Sequence, residues 1–248
     1  MAQGSDSRLM IDEDFFGAAS TLAATTAPPI ALGSLNVVGQ GIAETDSGAP
    51  RMDSDGLNGV IQLTTTNEDV HAAGLQSATM FDVALMGSIV LEARVRQAAL
   101  NTGEVFIGFS DVNTDLAIIE GAICHGDTVT VTLTASDLVG FLMASDLTDN
   151  SDWHGVYNGG TTTGETTSTS VDFDAGATAG EYQVLRLELF PNGTAEWWVD
   201  GVLEQTVTGA VSTSVDLCLN VIVESKTTAV KTMDVDYIRV WANRDWTA

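Results

Sequence analysis

Residues 184–207 read Val-Leu-Arg-Leu-Glu-Leu-Phe-Pro-Asn-Gly-Thr-Ala-Glu-Trp-Trp-Val-Asp-Gly-Val-Leu-Glu-Gln-Thr-Val, three alternating segments separated by two turn signals. In the first segment three leucines alternate with an arginine and a glutamate, which is the pattern of a strand with one buried face. Asn-Gly at 192–193 and Asp-Gly at 200–201 tolerate the positive φ angles of tight hairpins. The stretch therefore predicts a three-stranded antiparallel meander.

The same period of two recurs at residues 89–95, 128–134 and 215–223, whereas no long stretch shows the apolar spacing of an amphipathic helix. Many short strands without crossover helices favour an antiparallel sandwich. We therefore expect an all-β, two-sheet antiparallel jelly-roll sandwich. Residues 11–248 are expected to form a single domain, and residues 1–10 an N-terminal arm that is mobile or docked on a neighbour.

The charge of the chain is strongly one-sided, with 34 acidic residues against nine Lys and Arg and a formal net charge of −25. Such a surface repels phosphate groups, so neither nucleic acid nor an anionic membrane is an expected partner. Either solubility or docking onto a basic partner accounts for the excess, and composition does not separate these two interpretations. Residues 1–8 show no basic segment followed by an apolar one, so no secretory signal is expected.

The two cysteines are predicted to be free thiols, with a disulfide between them as the alternative that the sequence leaves open. Cys218 lies inside an apolar strand, which indicates a small buried hydrophobic side chain. Cys124 precedes His125, but one Cys-His pair is a poor metal site without further ligands. The Thr- and Gly-rich residues 159–170 lack a core pattern and predict an exposed loop or weak edge strand.

Three segments of the C-terminal third resemble a known superfamily. Tyr-x-x-Leu-Arg-Leu-Glu at 182–188, Asn-Gly-Thr-Ala-Glu-Trp-Trp-Val-Asp-Gly-Val-Leu at 192–203 and Met-Asp-Val-Asp-Tyr-Ile-Arg-Val-Trp at 233–241 are similar, in this order, to the concanavalin A-like lectins and glucanases. The resemblance implies two curved antiparallel sheets with adjacent first and last strands. Residues 11–16 would then pair with residues 233–241.

A looser resemblance runs along most of the chain. Asp-Glu-Asp-Phe-Phe at 12–16, Leu-Glu-Ala-Arg-Val at 91–95, Phe-Ile-Gly-Phe-Ser-Asp-Val-Asn at 106–113, Val-Gly-Phe-Leu-Met-Ala-Ser-Asp at 139–146 and Trp-His-Gly-Val at 153–156 look like concanavalin-like structural proteins of tailed bacteriophages. In phages such domains decorate or cement the head, or occur in fibres. The resemblance implies a location on the virion surface after synthesis in the host cytoplasm.

No catalytic pattern is found in the sequence. Glucanases of the superfamily use a Glu-x-Asp-x-x-Glu strand that places two carboxyl groups about 5–5.5 Å apart. The chain has one Glu-x-Asp, at 44–46, and Ala49 stands where the second Glu is needed. The three histidines are far apart in sequence, and no Gly-x-Ser-x-Gly elbow occurs. We therefore expect a protein that is not an enzyme.

Calcium is the best candidate cofactor. Asp111, Asn113 and Asp115 reproduce the Asp-x-Asn-x-Asp opening of a calcium loop, although Leu116 stands where that loop needs Gly. A second oxygen-rich loop offers a further set of ligands: Asp146, Asp149 and Asp152. Asp and Asn also form turns without any metal, so both interpretations remain open.

Aromatic residues follow the second loop, and Trp153, His154 and Tyr157 are candidates for contact with a sugar. Trp153 is equally suited to closing the sandwich core. Trp197 and Trp198 are consecutive in one strand, so they must point to opposite faces.

Two functions follow from these features. The leading hypothesis is a non-enzymatic decoration or cement protein on a tailed-phage head, with the major capsid protein and further copies of itself, such as a trimer, as partners. The alternative is a lectin-like module that binds cell-surface glycans through rim loops 111–115 and 146–157.

Overall fold

The computed structural model describes residues 8–15, 30–39, 51–52, 59–78, 80–114, 118–226 and 228–244. These residues form two large antiparallel sheets that face each other, with one two-stranded hairpin outside them. The predicted all-β sandwich is confirmed. No helix in these ranges is long and apolar enough to span a membrane.

The first large sheet has eight strands, and the strand at Thr232–Asn243 pairs with three of the others. Its order is β17-β16-β15-β8-β19-β5-β4, and β1 also pairs with β19. The bounds of its strands are β1 Arg8–Glu13, β4 Arg51–Met52, β5 Ile61–Thr64, β8 Ile89–Gln97, β15 Tyr182–Leu189, β16 Ala195–Val199, β17 Val202–Val207 and β19 Thr232–Asn243.

The second large sheet has nine strands in the order β14-β13-β12-β9-β18-β6-β3-β2, and β7 also pairs with β18. Its strands are β2 Ile30–Leu32, β3 Leu35–Val38, β6 Ala72–Gln76, β7 Phe81–Asp82, β9 Gly103–Ser110, β12 Leu138–Ala144, β13 Asp152–Asn158, β14 Asp172–Gly176 and β18 Asp216–Ser225. The separate hairpin consists of β10 Cys124–Asp127 and β11 Thr130–Leu133.

Two short helical segments complete the fold. A π-helical turn at Ile119–Ile123 leads into β10, and α1 at Ser168–Val171 leads into β14. α1 begins inside the segment 159–170, for which the sequence predicted a loop or weak edge strand, and ends one residue beyond it. Residues 128–134 form a strand only from Thr130, since Val129 lies in the hairpin turn and is half exposed.

The predicted meander is confirmed, because β15, β16 and β17 pair in sequence order. The predicted contact of the first and last strands is also confirmed, with Ile11 opposite Val240. β1 begins at Arg8, so residues 8–10 belong to the sheet rather than to an arm. Residues 1–7 lie outside the described ranges.

The main core lies between the two sheets and is made by alternate residues of each strand. β8 contributes Ile89, Leu91, Ala93 and Val95, and β18 contributes Leu217, Leu219, Val221 and Val223. Trp197 is fully buried there while Trp198 faces outward, as the alternation predicted. Both cysteines are buried free thiols, which confirms that prediction.

A second, smaller core covers the outer face of the nine-stranded sheet. Phe106, Leu142 and Ile222 point away from the main core and pack against Ile119 and Ile123 of the π-helical turn and its hairpin. We call residues 118–135 the cover. The outward face of the nine-stranded sheet is therefore closed over much of its area by the cover.

Candidate functional site

The two oxygen-rich loops lie at opposite ends of the sandwich. β9 and β12 are antiparallel, with Ser110 opposite Leu138 and Glu104 opposite Ala144. Asp111 therefore follows one end of this strand pair, and Asp146 follows the other, roughly 20 Å away at about 3.3 Å per residue. Residues 111–114 and 146–151 therefore do not form the common rim that the lectin hypothesis assumed, and residues 152–157 belong to β13, which runs from one end of the sandwich to the other.

In the second loop, the predicted calcium ligands already face other groups. The Asp146 carboxylate lies 3.6 Å from Lys226 Nζ, so a cation occupies its surroundings. Burial, and then repulsion by Asp172, raises the pKa of Asp152. Within the described ranges no three His, Cys, Asp or Glu side chains are grouped as a metal site would need. Calcium binding stays a prediction.

In the first loop, Asp111 lies beside an aspartate that the sequence did not indicate. The Asp111 amide donates to the Asp137 carbonyl at 2.9 Å. Burial and the Asp111 carboxylate raise the pKa of Asp137. The Oδ1 atoms of both residues are buried and have no hydrogen-bond partner among the residues described. Asp115 lies outside those residues.

The three candidate sugar-contacting side chains are inside the protein. Trp153 is 1% exposed, and its Nε1 donates to Gln183 Oε1 at 3.0 Å. Tyr157 packs near Trp197 in the main core, and His154 is fully buried on the outer face of β13. No sugar ring can stack on them in this arrangement, because alternation places Trp153 and Tyr157 on the inward face of β13. The structure therefore assigns Trp153 to the core, the second of its two sequence interpretations.

An open cleft of about 210 Å³ lies at the same end of the sandwich as Asp111. We call it the rim cleft. Three loops meet in it: residues 159–161 after β13, Asn192 in the β15–β16 turn, and residues 209–213 between β17 and β18. Its lining consists of Gly159, Gly160, Thr161, Asn192, Gly209, Val211, Ser212 and Thr213.

Backbone hydrogen bonds join the three loops of the rim cleft. Thr162 N donates to Gly209 O at 2.9 Å, and Ala210 N donates to Gly193 O at 2.7 Å. The loops approach so closely that a Cβ at Gly160 would lie 2.0 Å from Gly209 O. Only glycine allows this packing, so the cleft is built from backbone and is largely pre-formed.

Asp137 connects the rim cleft to Asp111. Its carboxylate accepts a hydrogen bond from the backbone N–H of Ser212, which lines the cleft. Its Oδ1 atom would be 2.1 Å from a Cβ at Gly159. The aspartate pair therefore lies directly behind the cleft wall.

A shallow hollow of about 440 Å³ continues from the rim cleft and shares Asn192 with it. Its other lining residues are Phe190, Pro191, Thr194 and Glu196. The two depressions together offer hydroxyls, backbone groups and a carboxylate beside a small apolar surface. This combination suits a polyhydroxylated ligand, which presents both hydroxyls and apolar ring faces.

A second candidate is a cluster of ionisable groups beneath the cover. Glu104 on β9 and Glu224 on β18 are directly opposite each other on neighbouring strands. Both side chains are fully buried. Glu104 Oε1 accepts from Gly126 N at 3.1 Å, and Glu224 accepts from the N–H groups of Ile119 and Glu120. The two carboxyl groups thus fasten the cover to the sheet.

Burial controls the ionisation of this cluster. Desolvation raises the pKa of Glu104 to about 8 and that of Glu224 to about 7. Lys226 Nζ lies between carboxylates, paired with Glu120 and 3.9 Å from Glu104. Burial alone would lower the pKa of Lys226, but the carboxylates around it outweigh that effect and raise it.

The cluster was not found from the sequence, although a signal was present. Glu104 and Glu224 each interrupt an otherwise apolar strand at a position that a buried sheet would fill with an apolar side chain. Two opposed carboxyls of raised pKa could serve acid–base chemistry. They are closed to solvent here, and their hydrogen bonds go to backbone N–H groups of the cover.

No family model and no curated protein matches the sequence. Solved structures do resemble it. A protein of unknown function from Shewanella oneidensis aligns over 98% of this chain and 89% of its own, with 12% identity and a TM-score of 0.60. The carbohydrate recognition domain of Emp47p aligns over 97% and 96%, with 12% identity and a TM-score of 0.55.

A carbohydrate esterase from the Shiga toxin-encoding bacteriophage phi24B aligns over 85% of this chain and 91% of its own, with 16% identity and a TM-score of 0.50. The fold is a concanavalin A-like sandwich. At these identities the likeness concerns the fold alone, and function must be argued from the site. In this concanavalin A-like sandwich the rim cleft is open, whereas the carboxylate pair is covered.

Proposed function

We propose that this chain is a non-enzymatic carbohydrate-binding domain whose binding site is the rim cleft with its neighbouring hollow. The observation that carries the proposal is a pre-formed depression lined by glycine backbone, hydroxyls and an amide, with Phe190 and Pro191 beside it. Sugars are recognised by such a mixture of hydrogen-bonding groups and apolar contact. The site differs from the one expected from sequence, since it draws on the end of the sandwich at 111–114 and not on 146–157.

The aspartates behind the cleft are the place for calcium in this proposal. Two buried carboxylate oxygens without partners, on Asp111 and Asp137, are hard oxygen donors of the kind that calcium prefers. A cation bound there would neutralise the repulsion between the two carboxylates and hold residues 212 and 159 in place.

The test is glycan-array screening followed by titration calorimetry on the best ligand. Replacing Thr161 and Thr213 with valine removes two hydroxyl groups from the cleft and leaves the shape of both side chains nearly unchanged. We expect at least about a tenfold loss of affinity, since each hydrogen bond contributes around 1 kcal/mol. Thr178→Val, at the opposite end of the sandwich, is the matched control and should bind normally. Equal affinity of all three proteins, or no glycan bound at all, would overturn the proposal.

A finer proposal concerns where this domain acts. We propose that it decorates the head of a tailed phage, with the major capsid protein as its partner. The support is the resemblance of segments at 12–16, 91–95, 106–113, 139–146 and 153–156 to phage structural proteins. Mixing the purified protein with undecorated heads should show saturable binding by light scattering. A protein that ignores the heads would contradict this location and leave carbohydrate binding untouched.

A further inference from the structure

The arginines of the chain are concentrated on one sheet. All seven lie in strands of the eight-stranded sheet or directly after β19. The two other cationic residues, Lys226 and Lys231, are 9% and 0% exposed. On a chain of net charge −25, the eight-stranded sheet is therefore the place where positive charge reaches the surface.

The outer face of this sheet holds its charged groups in fixed positions. Arg96 Nε donates to Asp234 Oδ2 at 3.0 Å, and Arg239 Nε donates to Asp12 Oδ1 at 2.9 Å. The Arg94 guanidinium stacks 4.1 Å from the centre of the Tyr182 ring. Side chains held this way lose little freedom when a partner binds, which favours association.

The composition of this outer face is that of a protein–protein contact. Tyr, Trp, Arg and Met are enriched in the cores of such contacts. The face carries four arginines, four aromatic rings and two exposed apolar side chains, Met10 at 67% and Leu203 at 43%. We call this set the arginine face: Met10, Arg94, Arg96, Tyr182, Arg186, Trp198, Leu203, Tyr237, Arg239 and Trp241.

The size of the arginine face suits a standard interface. Six strand positions about 4.8 Å apart span roughly 24 Å, and nine residues of β8 extend about 30 Å. The resulting area, on the order of 700 Å², is close to the about 800 Å² per partner of a standard complex.

We propose that the arginine face docks against the same face of a second copy of this chain. The low net charge of the arginine face favours a second copy of this chain as the partner. Asp12, Glu92, Glu188, Glu196, Asp234 and Asp236 share the face with the four arginines and with Arg8, which alternates to the same side as Met10 and Asp12. These charges sum to −1, where the whole chain carries −25. Two copies meeting here avoid most of the repulsion that their other surfaces would impose, because the four arginines are paired with carboxylates of their own chain and a two-fold axis joins two nearly neutral faces. The contact gives a dimer, not the trimer expected from the phage resemblance. It borders the proposed sugar site at Glu196, which also lines the hollow, but it requires no bound carbohydrate.

The test compares two matched double variants by sedimentation velocity. Met10→Glu with Leu203→Glu places two charges in the arginine face at exposed positions that tolerate them. Val129→Glu with Val230→Glu makes the same change at exposed valines elsewhere, 52% and 45% accessible. We expect the wild type and the valine variant to be dimeric at about 10 μM, and the arginine-face variant to dissociate at least about tenfold more readily. Circular dichroism verifies that all three are folded.

A monomeric wild type at this concentration, or a dimer that both variants retain, would overturn the proposal. Salt gives a second readout. The remaining surfaces of the two chains are acidic and still repel each other at a distance, so raising NaCl from about 50 to 500 mM should screen that repulsion and strengthen the dimer. A dimer that dissociates on adding salt would instead be held by long-range attraction between opposite charges, contrary to the near-neutral contact proposed.

Discussion

The burial of single side chains could be predicted from the sequence where the alternation of a strand decides which face each residue occupies. Trp197 and Trp198 had to face opposite sides of β16, and the structure places the first in the main core and the second outside. Trp153 and Tyr157 follow the same rule, and of these two the sequence indicated a core position only for Trp153, beside its interpretation as a sugar contact. Which face of β13 is inward depends on the partner sheet, and that is a tertiary property.

Adjacent tryptophans give a matched comparison of buried and surface positions. Trp197 Nε1 donates to Gly140 O at 2.8 Å within the core. Trp197→Phe should lower the free energy of unfolding by roughly 2–4 kcal/mol, through a cavity and an unpaired carbonyl. Trp198→Phe should cost less than about 1 kcal/mol. Urea unfolding measures both, and equal losses would contradict the assigned faces.

Glu104 makes stability depend on pH. Its pKa is about 8 in the folded protein, above the ordinary 4.5. Its contribution to the free energy of unfolding is therefore fully present below about pH 4.5 and is lost as the pH rises towards 8. Glu104→Gln keeps the acceptor for Gly126 N and removes the charge. As the pH is raised from 5 to 9, we expect the free energy of unfolding of the variant to increase relative to that of the wild type by on the order of 3 kcal/mol.

Chemical denaturation across this pH range tests the expectation. The exposed Glu181→Gln removes the same formal charge and is the control, which should follow the wild type. Parallel pH profiles for wild type and Glu104→Gln would show that the carboxyl is not held neutral beneath the cover.

At the scale of elements, the strands with strong alternation and clear turn residues were predicted correctly, as in β15, β16 and β17. The cover was predicted only in part. Alternation at residues 128–134 indicated β11, but the π-helical turn and β10 have no periodicity of their own and are held by apolar contacts with the nine-stranded sheet. Short segments that depend on a neighbouring surface carry little local signal.

The β16–β17 turn tests the turn chemistry directly. Asp200 and Gly201 both have positive φ, of 49° and 83°. Gly201→Ala should lower the free energy of unfolding by about 1 kcal/mol. Gly201→Asn should lower it clearly less, because asparagine tolerates this conformation. Thermal denaturation distinguishes the two, and an alanine variant as stable as the asparagine variant would argue against a left-handed residue here.

At the scale of the whole molecule, the fold class followed from the sequence but the site did not. Rim loops at 111–115 and 146–157 looked equivalent as oxygen-rich segments. Strand direction decides which loops share an end of a sandwich, and β9 pairing with β12 separates these two. The rim cleft arises from three segments distant in sequence, and a glycine- and threonine-rich composition was its one local sign.

The net charge of −25 also acts on the whole molecule. Repulsion among the carboxylates favours the expanded unfolded chain, and salt screens it. Raising NaCl from about 50 mM to 1 M should raise the Tm by several degrees in differential scanning calorimetry. An unchanged Tm would mean that the carboxylates are too far apart in the folded state to repel one another.

The pairing of β1 with β19 means that the eight-stranded sheet can be completed only late in translation. β19 lies between β8 on one side and β1 and β5 on the other, so the eight-stranded sheet is split until residues 232–243 emerge. At roughly 5–20 residues per second, on the order of 10 s or more separates translation of the two strands. Throughout that interval β8 and the nascent N-terminal strand present unpaired edges, and a polypeptide released early would keep them. Chaperone demand during translation should therefore fall only when the final strand leaves the exit tunnel.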